Sequence, residues 1–302
     1  MALLLGILAA LGVATIISSW INRAGGISTN SFVSYAPLTN ANWYVFGWTG
    51  STTSYRYSTD TSSWTTGTLP TAGLWGPSAY NGTRIVLFQK GNAANTALTS
   101  TNGTTWTSFT IGTNPTVQTA YYDGTRFIVT NSAGSSISWS LDGITSWTAQ
   151  VVASSHGVAY DGTSRHIISR TGSTTTAYTS TTGITGTWST VTLPASDTWQ
   201  QVLYAAGYWV VVASGGNISY STNGTTWTAN ATTSNVNTWV YANGYWYSFT
   251  SGASASGRYR VTPDATSTSF NLGSASGSPN SAAFADNKIV VATSGTDLWV
   301  GV

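Results

Sequence analysis

The sequence contains no cysteine and no glutamate, and it has few charged residues of either sign. Charged residues make up 6% of the 302 residues, and the formal net charge is +2. Without cysteine, the chain forms no disulfide and no thiolate metal site. The cysteine content therefore does not distinguish an oxidising from a reducing compartment. So small a net charge, with no run of Lys or Arg to follow a phosphate backbone, predicts no nucleic-acid partner.

The missing glutamate also argues against an enzyme that cleaves glycosidic bonds. Such enzymes usually need two carboxylates that flank the bond. The chain has only eight acidic residues, all Asp, and six of them stand at or beside predicted turns, which favour Asp for backbone reasons. These six are Asp60, Asp123, Asp142, Asp161, Asp264 and Asp286. We therefore predict no catalytic residue and no enzyme, with a glycoside hydrolase as the disfavoured alternative.

Histidine is equally scarce. His156 and His166 are the only two, too few for a zinc site without help from Cys or Glu. No Gly-rich phosphate loop is present either. The sequence therefore predicts no metal and no cofactor.

The first 22 residues carry no charged side chain and predict an apolar helix over residues 1–24. Met1 to Trp20, at roughly 1.5 Å per helical residue, is long enough to cross about 30 Å of hydrocarbon. Small residues recur every fourth position, which places them in one stripe along a helix where backbones can approach closely. They are Ala2, Gly6, Ala10, Ala14 and Ser18. The stripe predicts homo-oligomerisation in a membrane or a protein bundle; a lone membrane anchor and a cleaved signal are the alternatives.

Strand signals with a regular period follow, over residues 25–302. Aromatic residues that follow a tight turn are spaced by 42, 41, 41, 39 and 43 residues. They are Trp64, Trp106, Trp147, Trp188, Trp227 and Phe270. A period near 40 made only of strands is typical of a propeller blade of four strands. The Asn-Gly before Trp227 predicts a type I′ turn, in which both central residues take positive φ.

A second phrase lies between these aromatic positions, as in Tyr121-Tyr-Asp-Gly-Thr-Arg-Phe-Ile-Val129. It predicts an innermost strand, a tight turn and a second strand that is buried between neighbouring blades. Seven such second strands predict an all-β, seven-bladed propeller of antiparallel blades. The last blade ends after its third strand, so it either stays three-stranded or is completed by residues near Gly25–Asn30.

The turn phrase resembles the Asp-box, or BNR, repeat of sialidase-type propellers. Ser140, Asp142, Gly143 and Trp147 approximate it, although Gly directly follows the Asp, and in other copies Asn replaces the acid. In that family the box is a structural turn away from the active site, so the resemblance implies a fold and no chemistry. The Ser-, Thr-, Gly- and Asn-rich composition is also similar to that of phage structural and tail proteins, which implies a place on a virion.

Candidate ligand-binding residues stand in the predicted loops between blades and between second and third strands. They are Trp75, Lys90, His156, Arg170 and Trp199, whose aromatic and cationic groups suit stacking on a sugar. The prediction is a non-enzymatic structural protein that displays its propeller from a virion or cell surface and binds a glycan or a protein receptor. A subunit of an extracellular filament with a pilin-like layout is the alternative.

Overall fold

The computed structural model describes residues 15–23, 31–47, 49–91, 95–111, 116–132, 136–152, 155–170, 172–184, 186–230, 236–250, 254–274 and 277–302. The regular structure in these ranges is β-strand, arranged in seven antiparallel sheets of four strands. Each sheet is one blade. The predicted all-β, seven-bladed propeller is confirmed.

Strand β1 (Trp20–Asn22) belongs to the last blade, and six blades then follow in chain order. Blade one has β2 Ser31–Tyr35, β3 Trp43–Gly47, β4 Thr52–Ser58 and β5 Thr65–Gly73; blade two has β6 Trp75–Tyr80, β7 Ile85–Gln89, β8 Thr96–Ser100 and β9 Thr107–Thr110. Blade three has β10 Val117–Tyr122, β11 Phe127–Asn131, β12 Ser136–Ser140 and β13 Thr148–Val151; blade four has β14 Ser155–Tyr160, β15 His166–Arg170, β16 Thr174–Ser180 and β17 Ser189–Asp197. Blade five has β18 Trp199–Ala205, β19 Tyr208–Ala213, β20 Ile218–Ser221 and β21 Thr228–Asn230; blade six has β22 Val236–Ala242, β23 Tyr245–Thr250, β24 Ser254–Arg260 and β25 Thr268–Ser274. Blade seven consists of β26 Pro279–Ala285, β27 Lys288–Thr293, β28 Leu298–Gly301 and, outermost, β1.

The second strand of each blade carries most of the core. Every residue of β3, β7 and β11 is buried, because these strands lie between the faces of two neighbouring blades. Such strands have no solvent face, so they read as continuous apolar runs instead of alternating ones. The outermost strands, such as β9, are mainly exposed.

The ring is closed by the beginning of the described chain. Strand β1 pairs antiparallel with β28, and Trp20 lies opposite Gly301. Two backbone bonds extend the pairing, from Arg23 N–H to Leu298 O at 2.7 Å and from Val302 N–H to Ser19 O at 3.0 Å. The prediction that the beginning of the chain completes the last blade is confirmed, but the strand is Trp20–Asn22, within the predicted helix. Residues near Gly25–Asn30 lie outside the described residues. The pairing covers the edge that β28 would otherwise expose.

Residues 15–19 precede this strand and are not helical. Ile17 is buried, and its N–H donates to the Tyr247 hydroxyl at 2.7 Å. This contact holds the segment against blade six, so Ser18 is exposed and outside any helix, and its predicted place in the small-residue stripe is wrong. Ala2, Gly6, Ala10 and Ala14 lie outside the described residues. No helix with the length and hydropathy of a membrane span occurs within the described ranges.

The predicted type I′ geometry occurs, but at three other turns. In the Asn-Gly turn before Trp227, only Gly224 has positive φ, whereas Asn223 does not. The Asn223 side chain instead accepts the N–H groups of Thr225 and Thr226, both at 2.9 Å, so a side-chain cap replaces the hairpin turn. Both central residues take positive φ in the first turns of blades five, six and seven, which are Ala206–Gly207, Asn243–Gly244 and Asp286–Asn287.

Blades three and four are joined by a buried ionic cluster around Asp123. One carboxylate oxygen, Oδ2, accepts from Arg126 Nη2 at 2.7 Å and from His166 Nε2 at 3.1 Å. Arg126 also donates to Thr182 O in blade four at 2.5 Å. Burial by itself raises the pKa of Asp123, but hydrogen bonds from His166, Arg126 and Thr125 together with the Arg126 charge lower it to about 2. The carboxylate is therefore ionised at neutral pH and links the two blades.

Candidate functional site

A cavity opens where the innermost strands begin, at one end of the ring. Its volume is about 220 Å³, and every blade contributes to its lining. The lining residues are Phe32, Lys90, Gln118, Thr119, His156, Gly157, Val158, Gln200, Gln201, Val202, Asn237, Thr238, Asn280, Ser281 and Ala282. We call it the mouth cavity.

A recurring irregularity places polar side chains around this cavity. In blades two to seven, the register of the innermost strand shifts just after its first residue, so that the following position is left unpaired. Such bulges redirect a side chain away from the ladder. The position is Gly76, which has no side chain, in blade two, and in blades three to seven it is a polar residue of the lining: Gln118, His156, Gln200, Asn237 and Asn280. In blade one, where β2 pairs regularly, Phe32 lines the cavity instead.

Lys90 enters the cavity from the end of β7 and lies against Phe32. Its Nζ is 4.6 Å from the centre of the Phe32 ring. A Cβ at Gly76 would lie 2.7 Å from the same ring, so the glycine leaves the room that this pair occupies. Burial lowers the pKa of Lys90 to about 8, and its ammonium therefore remains mainly protonated at neutral pH.

His156 lies in the same cavity and is held in one tautomer. Its Nδ1 is 2.6 Å from the backbone oxygen of Gln200 in blade five, and since a carbonyl only accepts, Nδ1 carries the proton. Burial lowers the pKa of His156 to about 4; the charge of Lys90 adds to this, and the bond to Gln200 opposes it. The ring is therefore neutral at pH 7, and its Nε2 is a hydrogen-bond acceptor.

Other side chains of the lining bridge neighbouring blades. The Gln201 amide makes two bonds to the backbone of Trp239 in blade six, both at 2.9 Å. Asn237 donates from Nδ2 to Pro279 O in blade seven at 3.0 Å. Because each bond spans two blades, these two side chains are fixed before any ligand arrives.

The structure brings two of the five predicted binding residues together. Lys90 and His156 both line the mouth cavity, although a ligand there stays a prediction. Trp75 and Trp199 are wrong as surface binding residues, because they begin β6 and β18 and are fully buried. Their indole N–H groups donate to Thr71 O at 3.2 Å and Thr174 O at 2.9 Å. Arg170 lies outside the lining, with its guanidinium 5.3 Å from the Tyr178 ring.

The amides of the ring are not predicted by the sequence analysis, although a signal for them exists. Each stands four residues before the aromatic residue of the second phrase, as Gln118 does before Tyr122 and Gln200 before Tyr204. His156 likewise stands four residues before Tyr160. Among the described residues, no group of three or more His and Asp side chains is placed to hold a metal ion.

Comparison with solved structures supports the fold. The chain superimposes on YCF48 bound to D1 peptide with a TM-score of 0.74 at 11% identity, covering 95% of this chain and 96% of that one. Virginiamycin B lyase from Staphylococcus aureus, in a catalytically inactive form with quinupristin, gives 0.76 at 12% identity, with 94% and 99% covered. The WD40 propeller domain of Doa1 gives 0.69 at 11% identity, with 94% and 97% covered. These neighbours include an enzyme and a protein solved with a bound peptide, and identities this low establish the propeller fold alone.

Sequence comparison finds no matching family model and no matching curated relative. Membership of the Asp-box family therefore stays a prediction.

Proposed function

We propose that the protein is a non-enzymatic interaction protein that binds a segment of a partner protein at the mouth cavity. One observation carries the proposal: all seven blades line one cavity, and bonds between blades already fix the polar side chains of Gln201 and Asn237 in its lining. Binding sites are typically concave and largely formed in advance, with a few oriented polar groups in an apolar wall. A structural neighbour with the same fold has been solved with a peptide bound.

A displayed library of random peptides tests this proposal, with the whole chain as bait. Gln200→Trp fills the cavity from an exposed position of the rim, whereas Ser108→Trp adds the same indole to the exposed outer strand β9 and serves as the control. Peptides selected on the parent chain are expected to lose affinity by at least about tenfold with Gln200→Trp and to keep it with Ser108→Trp. The proposal fails if no peptide is enriched, or if the selected peptides bind both variants equally.

The segment before Thr15 supplies the assembly element in this proposal. Its small residues join copies of the chain in a protein bundle that displays the propeller from a virion or cell surface. Thr15 N–H donates to Asn243 O at 3.2 Å, in the turn that ends β22, whereas Asn237 near the start of β22 lines the mouth cavity. With about 3.3 Å per strand residue, the two points are roughly 20 Å apart. A bundle formed by the preceding residues therefore leaves the cavity facing outward.

The mass in solution, measured in a mild detergent, tests the assembly element. The full chain is expected to form a defined oligomer, and a chain beginning at Thr15 to be a folded monomer, because the cut leaves β1 and Ile17 in place. If both chains are monomers, the residues before Thr15 do not self-associate. An oligomer formed by both chains would instead assign the contact to the propeller.

A further inference from the structure

We propose that the mouth cavity is a seat for a carboxylate that has an amide N–H beside it, with Lys90 binding the carboxylate and His156 accepting the N–H. The inference rests on the proposed function, since it names the chemical group by which a protein partner would be anchored. Two sources offer this group: the free end of a peptide chain, and the side chain of an Asp residue with its own backbone N–H.

The charge of the lining favours an anion. Among the described residues that line the mouth cavity, Lys90 is the one with a formal charge at neutral pH, and none is an acid. Lys90 is half-buried, and its ammonium group lies against Phe32, where attraction to an opposite charge is stronger than in water. A cationic ligand would face like-charge repulsion at the same place.

The orientation of His156 adds a second requirement. Because Nδ1–H donates to Gln200 O, the Nε2 atom offers only a lone pair to the cavity. Lys90 is near enough for its charge to lower the pKa of this imidazole. A simple carboxylate has no donor for Nε2 at neutral pH, whereas an acylated amino acid carries an N–H two bonds from its carboxylate carbon.

The volume and the apolar lining of the cavity suit a single amino-acid residue better than a drug-sized molecule. Its volume of about 220 Å³ is below the roughly 300–1,000 Å³ of pockets that enclose drug-sized molecules. Phe32, Val158 and Val202 supply apolar surface beside the two polar groups. The seat therefore recognises the last residue of a chain or one protruding side chain.

Small probes test the seat by NMR chemical-shift titration of the full chain. N-acetylglycine is expected to bind about tenfold more tightly than N-acetylglycinamide, which lacks the carboxylate, and more tightly than acetate, which lacks the N–H. Lys90→Met is expected to abolish the preference for the acid, and Lys90→Arg to restore part of it. Lys288→Met is the matched control, because it removes the other lysine, whose Nζ donates to Asp60 O at 2.8 Å. His156→Phe is expected to abolish the preference for N-acetylglycine over acetate.

The N-methylamide of N-acetylaspartate separates the two sources. If it binds as N-acetylglycine does, side chains enter the seat; if it binds about tenfold more weakly, the seat prefers chain ends. Equal binding of N-acetylglycine and N-acetylglycinamide, or an acid preference that survives Lys90→Met, would overturn the carboxylate seat. Selected peptides that are blocked by Gln200→Trp but insensitive to Lys90→Met would keep the proposed function while rejecting this inference.

Discussion

A chain that lacks residues 1–23 is expected to lose cooperative folding or to unfold about 10 °C lower, whereas a chain that lacks residues 1–14 keeps its full stability. The difference between the two lies in Ile17 and β1. Burial of each large side chain contributes about 1.5–3 kcal/mol, and in a domain of this size one kcal/mol corresponds to roughly 2–4 °C. Thermal unfolding of both chains, followed by Trp fluorescence, measures this effect.

The large effect has a structural reason in the interface between blades six and seven. The Trp20 ring stacks on Phe270 at 5.2 Å and meets Phe249 edge-on at 5.7 Å. A Cβ on Gly301 would lie 2.6 Å from Ile17 and 2.7 Å from Trp20, so the glycine of β28 admits both side chains. Without this segment, β28 also exposes a free strand edge, which promotes aggregation.

Two adjacent positions in β1 separate side-chain packing from strand pairing. Trp20→Ala is expected to lower the free energy of unfolding by about 2–4 kcal/mol, because it empties a packed site. Ile21→Ala is the control, since Ile21 is 37% exposed and its loss is expected to cost less than about 1 kcal/mol. Equal effects in urea titrations, or a stable chain without residues 1–23, would show that β1 does not close the ring.

The blades could be predicted from the sequence because each one is local. Its strands, turns and aromatic positions lie within about 40 residues, and the period repeats several times. The closing strand could not, because Trp20–Asn22 pairs with residues nearly at the other end of the chain and continues an apolar run that is typical of a helix. A three-residue strand has no periodicity of its own, so only the long-range pairing reveals it.

The site was predictable only in part, for a similar reason. Lys90 and His156 stand out in the sequence as rare residue types in predicted loops, and both line the mouth cavity. Trp75 and Trp199 have side chains that suit stacking on a ligand, but each begins an innermost strand and faces the core. The bulge that turns Gln118 or Asn237 toward the cavity depends on pairing with the second strand, and residue type alone does not show it.

Asp123→Asn is expected to lower the free energy of unfolding by about 3–5 kcal/mol, because it removes one partner of a buried ionic cluster. The substitution spares the turn itself. In blade two, Asn81 occupies the corresponding position and accepts the N–H groups of Thr83 and Arg84 at 3.1 and 2.9 Å, as Asp123 accepts those of Thr125 and Arg126. What Asn cannot supply is the charge that holds Arg126 and His166.

Asp161→Asn is the matched control, at the same position of blade four. Asp161 accepts from the turn N–H groups of Thr163 and Ser164 at 2.9 and 2.7 Å and makes no ion pair among the described residues. Its replacement is therefore expected to change stability by less than about 1 kcal/mol. Urea unfolding of the two variants gives the comparison, and a similar loss from both would mean that the turn, and not the link between blades, accounts for the effect.

The pH dependence of stability provides an independent check on the same carboxylate. The pKa of Asp123 is about 2 in the folded protein and close to 3.9 in the unfolded chain. A carboxyl with a lowered folded-state pKa stabilises the protein above the unfolded value, and this stability is lost as the pH falls toward the folded value. The parent protein should therefore lose stability between about pH 4 and pH 2 more steeply than Asp123→Asn, which has no proton to take up at this position. Parallel profiles for the two proteins would show that Asp123 is not held as an anion between blades three and four.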